Sequence, residues 1–201
     1  MQLRALGRAQ TATERESWDL RLSGLVGQRV SDVRYVELDY RDPDWTGPGA
    51  DPGGAPVWDG VGFHSLDHGM ELDLETGSSW WCTWQSPGGD GESLLFGGGS
   101  ALTEEIEMTR TWNVAASALW KPLIGVPIVA TEIIWDHWPA THGSPEMWCQ
   151  SALTLAFDGG PEVIVALGDR DGTTGKLRPS ADNVVVFRSR EDASRLGLWQ
   201  S

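Results

Sequence analysis

The sequence predicts an α+β fold dominated by antiparallel β-structure, in which two tandem, pseudo-symmetric β modules with short helices form one sandwich or strongly curved sheet. Two predicted hairpins carry this prediction. In residues 69–85, apolar residues alternate with carboxylates (MELDLE) before a turn at Gly77 and a Trp-rich return strand. In residues 152–169, apolar residues alternate again (LTLAF) before a turn at Gly159 and a Val-rich return strand. We therefore expect each hairpin to bury one face in a shared core.

A second similarity precedes the two hairpins. The segment LVGQRV begins at Leu25, and LIGVPI, with the same spacing of aliphatic residues around a glycine, begins at Leu123. These segments align at an offset of 98 and the hairpins at an offset of 83. Because the difference falls in one loop that is longer in the first half, we interpret the pattern as a tandem duplication.

The other elements follow from local signals. Capping residues predict helices, and apolar or β-branched runs predict strands. In chain order we expect a helix capped by Thr11 with Glu14, a strand at 30–40, a short strand at 94–96, a helix capped by Thr111 and running to Trp120, a buried strand at 183–187, and a helical turn from Ser189.

These elements divide the chain into three parts. We expect an N-terminal arm and short helix at residues 1–24, a first β module at 25–108 and a second at 109–201. The first module contains a Gly/Pro-rich acidic loop at 41–62. Loops of this length are typically functional or disordered, so the loop is either a solvated flap or a partner-contacting segment.

The net charge of −14 is concentrated in one segment. Residues 37–107 contain 15 acidic residues and one basic residue, whereas the rest of the chain holds 14 of each. Such a segment repels nucleic acid and attracts basic partners, although solvated strand faces would give the same composition. The leading hypothesis is a non-catalytic protein-binding module that docks a basic partner, as a bacterial immunity or inhibitor protein docks a toxin.

Loop residues are the best candidates for partner contacts. The chain has twelve tryptophans, most of which we expect in the core, but tryptophan is also enriched at binding hot spots. The predicted partner-binding residues combine loop tryptophans with neighbouring carboxylates: Trp45, Trp58, Asp42, Asp44, Asp59 and Trp138.

An alternative hypothesis is a small-ligand-binding protein or hydrolytic enzyme with a site in a cleft between the two halves. Its candidate residues are His64, Asp67, His68, His137 and Arg178. His64 and His68 lie on a predicted loop or strand, where the spacing of four does not place two ligands on one face. We therefore predict no metal, and loop histidines bonded to backbone are the competing interpretation.

No cofactor is predicted, because the sequence lacks a nucleophile elbow, a dinucleotide fingerprint and a phosphate-binding loop followed by a helix. Cys82 and Cys149 lie in apolar runs, which is typical of buried thiols in a reducing compartment. No signal peptide or membrane-spanning run is visible, and we expect a cytoplasmic protein. The sequence leaves the oligomeric state open.

Overall fold

The computed structural model describes residues 7–38, 59–60, 62–86, 92–99, 102, 109–140, 145–170 and 177–198, with the backbone alone at 59–60, 169–170 and 177–182. Most of this part of the chain is antiparallel β-structure in two sheets, which confirms the predicted β-rich architecture. The strands are β1 (Arg8–Ala9), β2 (Val30–Leu38), β3 (Asp59–Gly60), β4 (Phe63–Leu66), β5 (Gly69–Leu74), β6 (Ser79–Gln85), β7 (Ser93–Gly98), β8 (Thr109–Asn113), β9 (Ile128–Trp138), β10 (Met147–Phe157), β11 (Glu162–Arg170) and β12 (Leu177–Phe187).

Each predicted hairpin lies in a different sheet. The five-stranded sheet has the order β7-β6-β5-β2-β8, so the first hairpin, β5–β6, is at its centre. The seven-stranded sheet runs from β9 through β10, β11, β12 and β4 to β3, and β1 pairs with the start of β10. Strand pairing crosses the predicted boundary between residues 108 and 109, because β4 pairs with β12 and β8 pairs with β2.

The two hairpins contribute to one apolar core. The largest cluster of buried side chains contains Met70 and Leu72 from β5 together with Leu153 and Leu155 from β10. Side chains along a strand point alternately to its two faces, and these four residues point towards the facing sheet. Burial of apolar surface on both inner faces therefore holds the sheets together.

Two short helices flank the sheets. α1 (Ala12–Ser23) begins with the predicted capping box, in which Thr11 and Glu14 bond each other's backbone N–H groups, and it buries Trp18 and Leu22. α2 (Arg190–Arg195) begins after Ser189, whose hydroxyl accepts from the backbone N–H of Asp192.

The helix predicted from Thr111 is wrong. Residues 109–113 form β8 on the open edge of β2, and turns follow as far as Gly125. The pairing continues beyond the strand, where the N–H of Val114 donates to the carbonyl of Val33. Long-range pairing thus outweighed the apolar spacing of three and four residues that predicted a helix.

The expectation that the carboxylate face of β5 is solvated also needs correction. Glu71 on that face is 1% exposed, binds Arg34 through a 3.0 Å ion pair and accepts a hydrogen bond from the N–H of Leu102. Arg34 also binds Asp73 at 2.5 Å. A buried carboxylate needs such partners, because removing it from water is costly.

We predict that Arg34→Met lowers the free energy of unfolding by about 3 kcal/mol, since it leaves Glu71 buried without a counter-charge. The double variant Arg34→Met/Glu71→Gln should recover most of this loss, because an amide can still accept from Leu102. Urea denaturation of both variants measures the two effects. Equal instability of the single and double variants would contradict this account.

Candidate functional site

The chain changes sheets between β4 and β5, and the two connecting residues are Asp67 and His68. The carboxylate of Asp67 and the carbonyl groups of both residues accept hydrogen bonds here. The backbone N–H of Leu38 donates to the Asp67 carboxylate at 3.0 Å, and the indole N–H of Trp84 donates to the Asp67 carbonyl at 3.0 Å. The hydroxyl of Thr83 donates to the His68 carbonyl at 2.6 Å. Several titratable and aromatic residues lie at or next to this crossing. We call them the crossover cluster: Tyr35, Glu37, His64, Asp67, His68 and Trp112.

A buried hydrogen-bond chain joins both sheets within this cluster. The hydroxyl of Tyr35 on β2 lies 2.7 Å from Nδ1 of His64 on β4. The same hydroxyl accepts from the indole N–H of Trp120 at 2.7 Å. Since a hydroxyl is both donor and acceptor, it can donate its own proton to Nδ1. His64, 7% exposed, is therefore held by a contact between the sheets.

Glu37 is a carboxyl group of the cluster with a strongly raised pKa. Its Oε2 accepts a 2.7 Å hydrogen bond from the indole N–H of Trp112, and Arg110 stacks on that indole. Burial and, to a smaller extent, the nearby carboxylate of Asp67 raise the pKa of Glu37, whereas the hydrogen bond from Trp112 and the charge of Arg110 lower it, and the resulting pKa is about 7. Glu37 therefore changes charge near neutral pH.

His68 lies beside this pair with an unusual environment. Burial lowers the pKa of its imidazole, so the neutral form is favoured. Its Nε2 is buried, and no atom in the described part of the chain is placed to bond it. A buried ring nitrogen without a protein partner is a position at which a ligand group or a water can bind.

The remaining ligand candidates are not brought into the cluster. His137 lies on β9, where its Nε2 pairs with Glu146 at 2.7 Å and its ring stacks on Trp148 at 5.0 Å. Arg15 stacks on the same indole. Arg178 is in β12 opposite Asp169, and its side chain lies outside the described residues. His64, Asp67 and His68 thus lie at or next to the crossing between the sheets, and His137 does not.

The predicted partner-binding residues fall mostly outside the described residues. Trp45, Trp58, Asp42 and Asp44 belong to segments that are not described. The backbone of Asp59 is in β3, at the end of the seven-stranded sheet. Trp138 is not in a loop as predicted: it ends β9, is half-buried and faces Met147 across the ladder.

Sequence reasoning missed Tyr35, Glu37 and Trp112 as members of the cluster. One signal was present in β2, where Glu37 is in phase with the buried residues Val33 and Tyr35. A carboxylate on the apolar face of a strand requires a partner or a raised pKa. Trp112 gave no such signal, because its segment was predicted to be helical.

Other chemistry is limited in the described residues. No three His, Cys, Asp or Glu side chains among them are placed to hold a metal ion. Cys82 and Cys149 are free and buried, and burial raises the pKa of both thiols, which disfavours the nucleophilic thiolate. The two helices of the described part are too short or too polar to cross a membrane.

Comparison with protein-family models, curated proteins and solved structures finds no match for this chain.

We predict that Tyr35→Phe lowers the free energy of unfolding by about 2 kcal/mol, because the buried indole N–H of Trp120 loses its acceptor. A double-mutant cycle with Trp120→Phe isolates this bond from the change in packing. In the Trp120→Phe background the loss from Tyr35→Phe should shrink. The same loss in both backgrounds would show that the hydrogen bond contributes nothing.

The titration of Glu37 predicts a pH-dependent stability. Because its folded-state pKa is raised, its ionisation costs stability as the pH rises from about 4.5 to about 7. Since the side chain keeps part of its hydration, we expect a loss of about 1–2 kcal/mol between pH 5 and pH 8 relative to Glu37→Gln. Urea denaturation at both pH values measures the difference, with Glu75→Gln at an exposed turn as the charge-matched control. A Glu37→Gln profile parallel to that of the unmodified protein would refute the assignment.

Proposed function

We propose that this protein is a non-catalytic protein-binding module whose acidic first half docks a basic partner, in the manner of an immunity or inhibitor protein. The observation that carries this proposal is the excess of 14 acidic residues within residues 37–107. A concentrated charge of one sign raises the rate of encounter with an oppositely charged surface.

The described contacts reduce the number of acidic residues that remain as candidates for partner contacts. Arg34 pairs with both Glu71 and Asp73, and the charge of Arg110 acts on Glu37, whose pKa is raised. These carboxylates are therefore engaged by other residues of the fold, and Glu71 is buried. The partner-binding role rests on acidic residues elsewhere in the segment, and Asp42, Asp44 and Asp59 are our leading candidates. Trp45, Trp58 and Trp138 are proposed to supply the apolar contacts.

A second candidate function is favoured by one observation, the buried Nε2 of His68 without a described partner. On this proposal the crossover cluster binds a small polar ligand, with His68 and the Glu37–Asp67 pair as its polar contacts. A thermal-shift screen of small metabolites tests it. Stabilisation by a compound should be lost in His68→Phe, and a screen without any stabilising compound counts against this function.

We also infer that the two β modules, residues 25–108 and 109–201, are copies of one unit. Equivalent hydrogen bonds support this inference: the N–H of Gly27 donates to Ile128 at 2.8 Å, and the N–H of Gly125 donates to Val30 at 2.8 Å. Both glycines have a positive φ, of 85° and 75°. The bonds are related by the offset of 98 in each direction, as a two-fold relation between copies requires.

The hairpin turns add independent support for duplication. The N–H of Leu74 donates to the carbonyl of Ser78 at 2.9 Å, and the N–H of Phe157 donates to the carbonyl of Pro161 at 2.9 Å. These two bonds are related by the offset of 83 that aligns the hairpin sequences.

A cytoplasmic location is part of the proposal. The support is chemical: two free, buried cysteines are stable as thiols in a reducing compartment.

Charge reversal tests the partner-binding function. The triple variant Asp42→Lys/Asp44→Lys/Asp59→Lys should lose a basic partner that the unmodified protein captures from cell extract, with binding to the purified partner weakened at least about tenfold. The control Asp19→Lys/Asp158→Lys/Glu191→Lys changes the net charge equally at exposed positions elsewhere and should retain the partner. Partner binding should also weaken as salt is raised. Salt-independent capture, or equal losses in both triples, would contradict the proposal.

A further inference from the structure

Two facing residues of the larger sheet carry buried polar atoms without partners. Gln150 on β10 lies directly opposite Trp135 on β9, so both side chains point to the same face of the sheet. Gln150 is fully buried, and neither its Oε1 nor its Nε2 has a hydrogen-bond partner within the part of the chain that the structure describes. The buried Nε1 of Trp135 also lacks an acceptor there. Because buried polar groups are almost always bonded, these atoms mark a position at which another molecule can bind.

The helix α1 brings a third donor to this face. Trp148 precedes Gln150 by two positions on β10 and therefore points the same way, and the guanidinium of Arg15 lies 4.7 Å from the centre of its indole. The Nε of Arg15 is buried without a described acceptor, and Arg15 pairs with none of the described carboxylates. Trp18, one turn further along α1, is in the core cluster against which Trp135 packs. Arg15 thus adds a positive charge beside the two unbonded side chains.

The backbone holds Gln150 in place independently of its side chain. Its N–H is shared between the hydroxyl oxygen of Ser93, at 2.9 Å, and the carbonyl of Gly7, at 3.4 Å. Arg15 and Trp135 are only half-buried as whole residues. Gln150 therefore forms a fixed floor and the other two form a rim nearer to solvent. The long side chain of Arg15 can rotate about its own bonds, which gives a small molecule a route to this floor.

We propose that Arg15, Trp135 and Gln150 form a binding site for a small hydroxy acid. The three N–H donors match the oxygens of a carboxylate, and the charge of Arg15 selects an anion. Oε1 of Gln150 only accepts, so the ligand also needs a donor, which a hydroxyl next to the carboxylate provides within a few atoms. This site shares no residue with the crossover cluster, and it does not depend on the proposed docking of a basic partner.

Three probes of nearly equal size test the class of ligand. Glycolate carries both groups, acetate lacks the hydroxyl, and glycolamide lacks the charge. In calorimetric titrations of the full chain at constant ionic strength, we expect acetate to bind at least about fivefold more weakly than glycolate, and glycolamide at least about tenfold more weakly. If water alone bonds these atoms, none of the probes binds, which would overturn the proposal. Equal affinities for glycolate and acetate would also overturn it.

Substitutions in the rim and the floor test the residues. Arg15→Met, Trp135→Phe and Gln150→Met each remove a donor, and each should raise the Kd of glycolate at least about fivefold. The matched control is Arg21→Met, which removes the same charge from the same helix, where Arg21 stacks on Trp18 at 4.8 Å. This variant should leave the Kd unchanged, and equal losses in the two arginine variants would contradict the site. Urea denaturation establishes that each variant is folded.

Nuclear magnetic resonance locates the ligand. Glycolate should shift the indole N–H signal of Trp135, which is assigned by its loss in Trp135→Phe, and the side-chain amide signals of Gln150. The indole signal of Trp120 should not move, because this N–H already donates to the hydroxyl of Tyr35. Saturable binding of glycolate that leaves the Trp135 and Gln150 signals unmoved would place the anion elsewhere on the protein and refute the assignment.

Discussion

The step of the chain from one sheet to the other is the constraint on which the candidate site depends. Between Leu66 and Gly69 the backbone leaves one ladder and enters another, so its polar groups need partners that regular pairing does not supply. Leu38, Thr83 and Trp84 provide them. Because these bonds draw the end of β2 against Asp67, they also bring a second carboxyl group, that of Glu37, into the same half-buried region. The raised pKa of Glu37 is thus a consequence of how the sheets are joined.

Signals that rest on neighbouring residues predicted the fold well. The capping box at Thr11, the helical turn after Ser189 and the alternating hairpins all involve contacts within a few positions. The segment after Thr109 was mispredicted because its state depends on the free edge of β2, which lies some 75 residues earlier in the chain. Glu71 was expected in water for a related reason, since its burial depends on Arg34 and on Leu102. A pattern of neighbouring residues in the sequence gives no information about partners that are distant in the chain.

The difference between contacts of neighbouring residues and contacts of distant residues also explains which parts of the site could be predicted from the sequence. His64, Asp67 and His68 are close in sequence, and the sheet crossing keeps them together. Tyr35 and Trp120 join them through contacts between residues far apart in the chain. His137 was grouped with them on residue type alone. Its partners are Glu146, just before the neighbouring strand β10, and Trp148 on that strand.

On the proposed duplication, function is to be sought where the two copies differ. The shared features, a glycine with positive φ before the first strand and a hairpin packed in the common core, are those that any copy needs in order to fold. The first copy adds a long acidic loop and the crossover between the sheets, and the edge of its strand β2 is closed by β8, which comes from the start of the second module. The second copy is nearly balanced in charge. A closed edge with a charged surface is suited to docking through side chains.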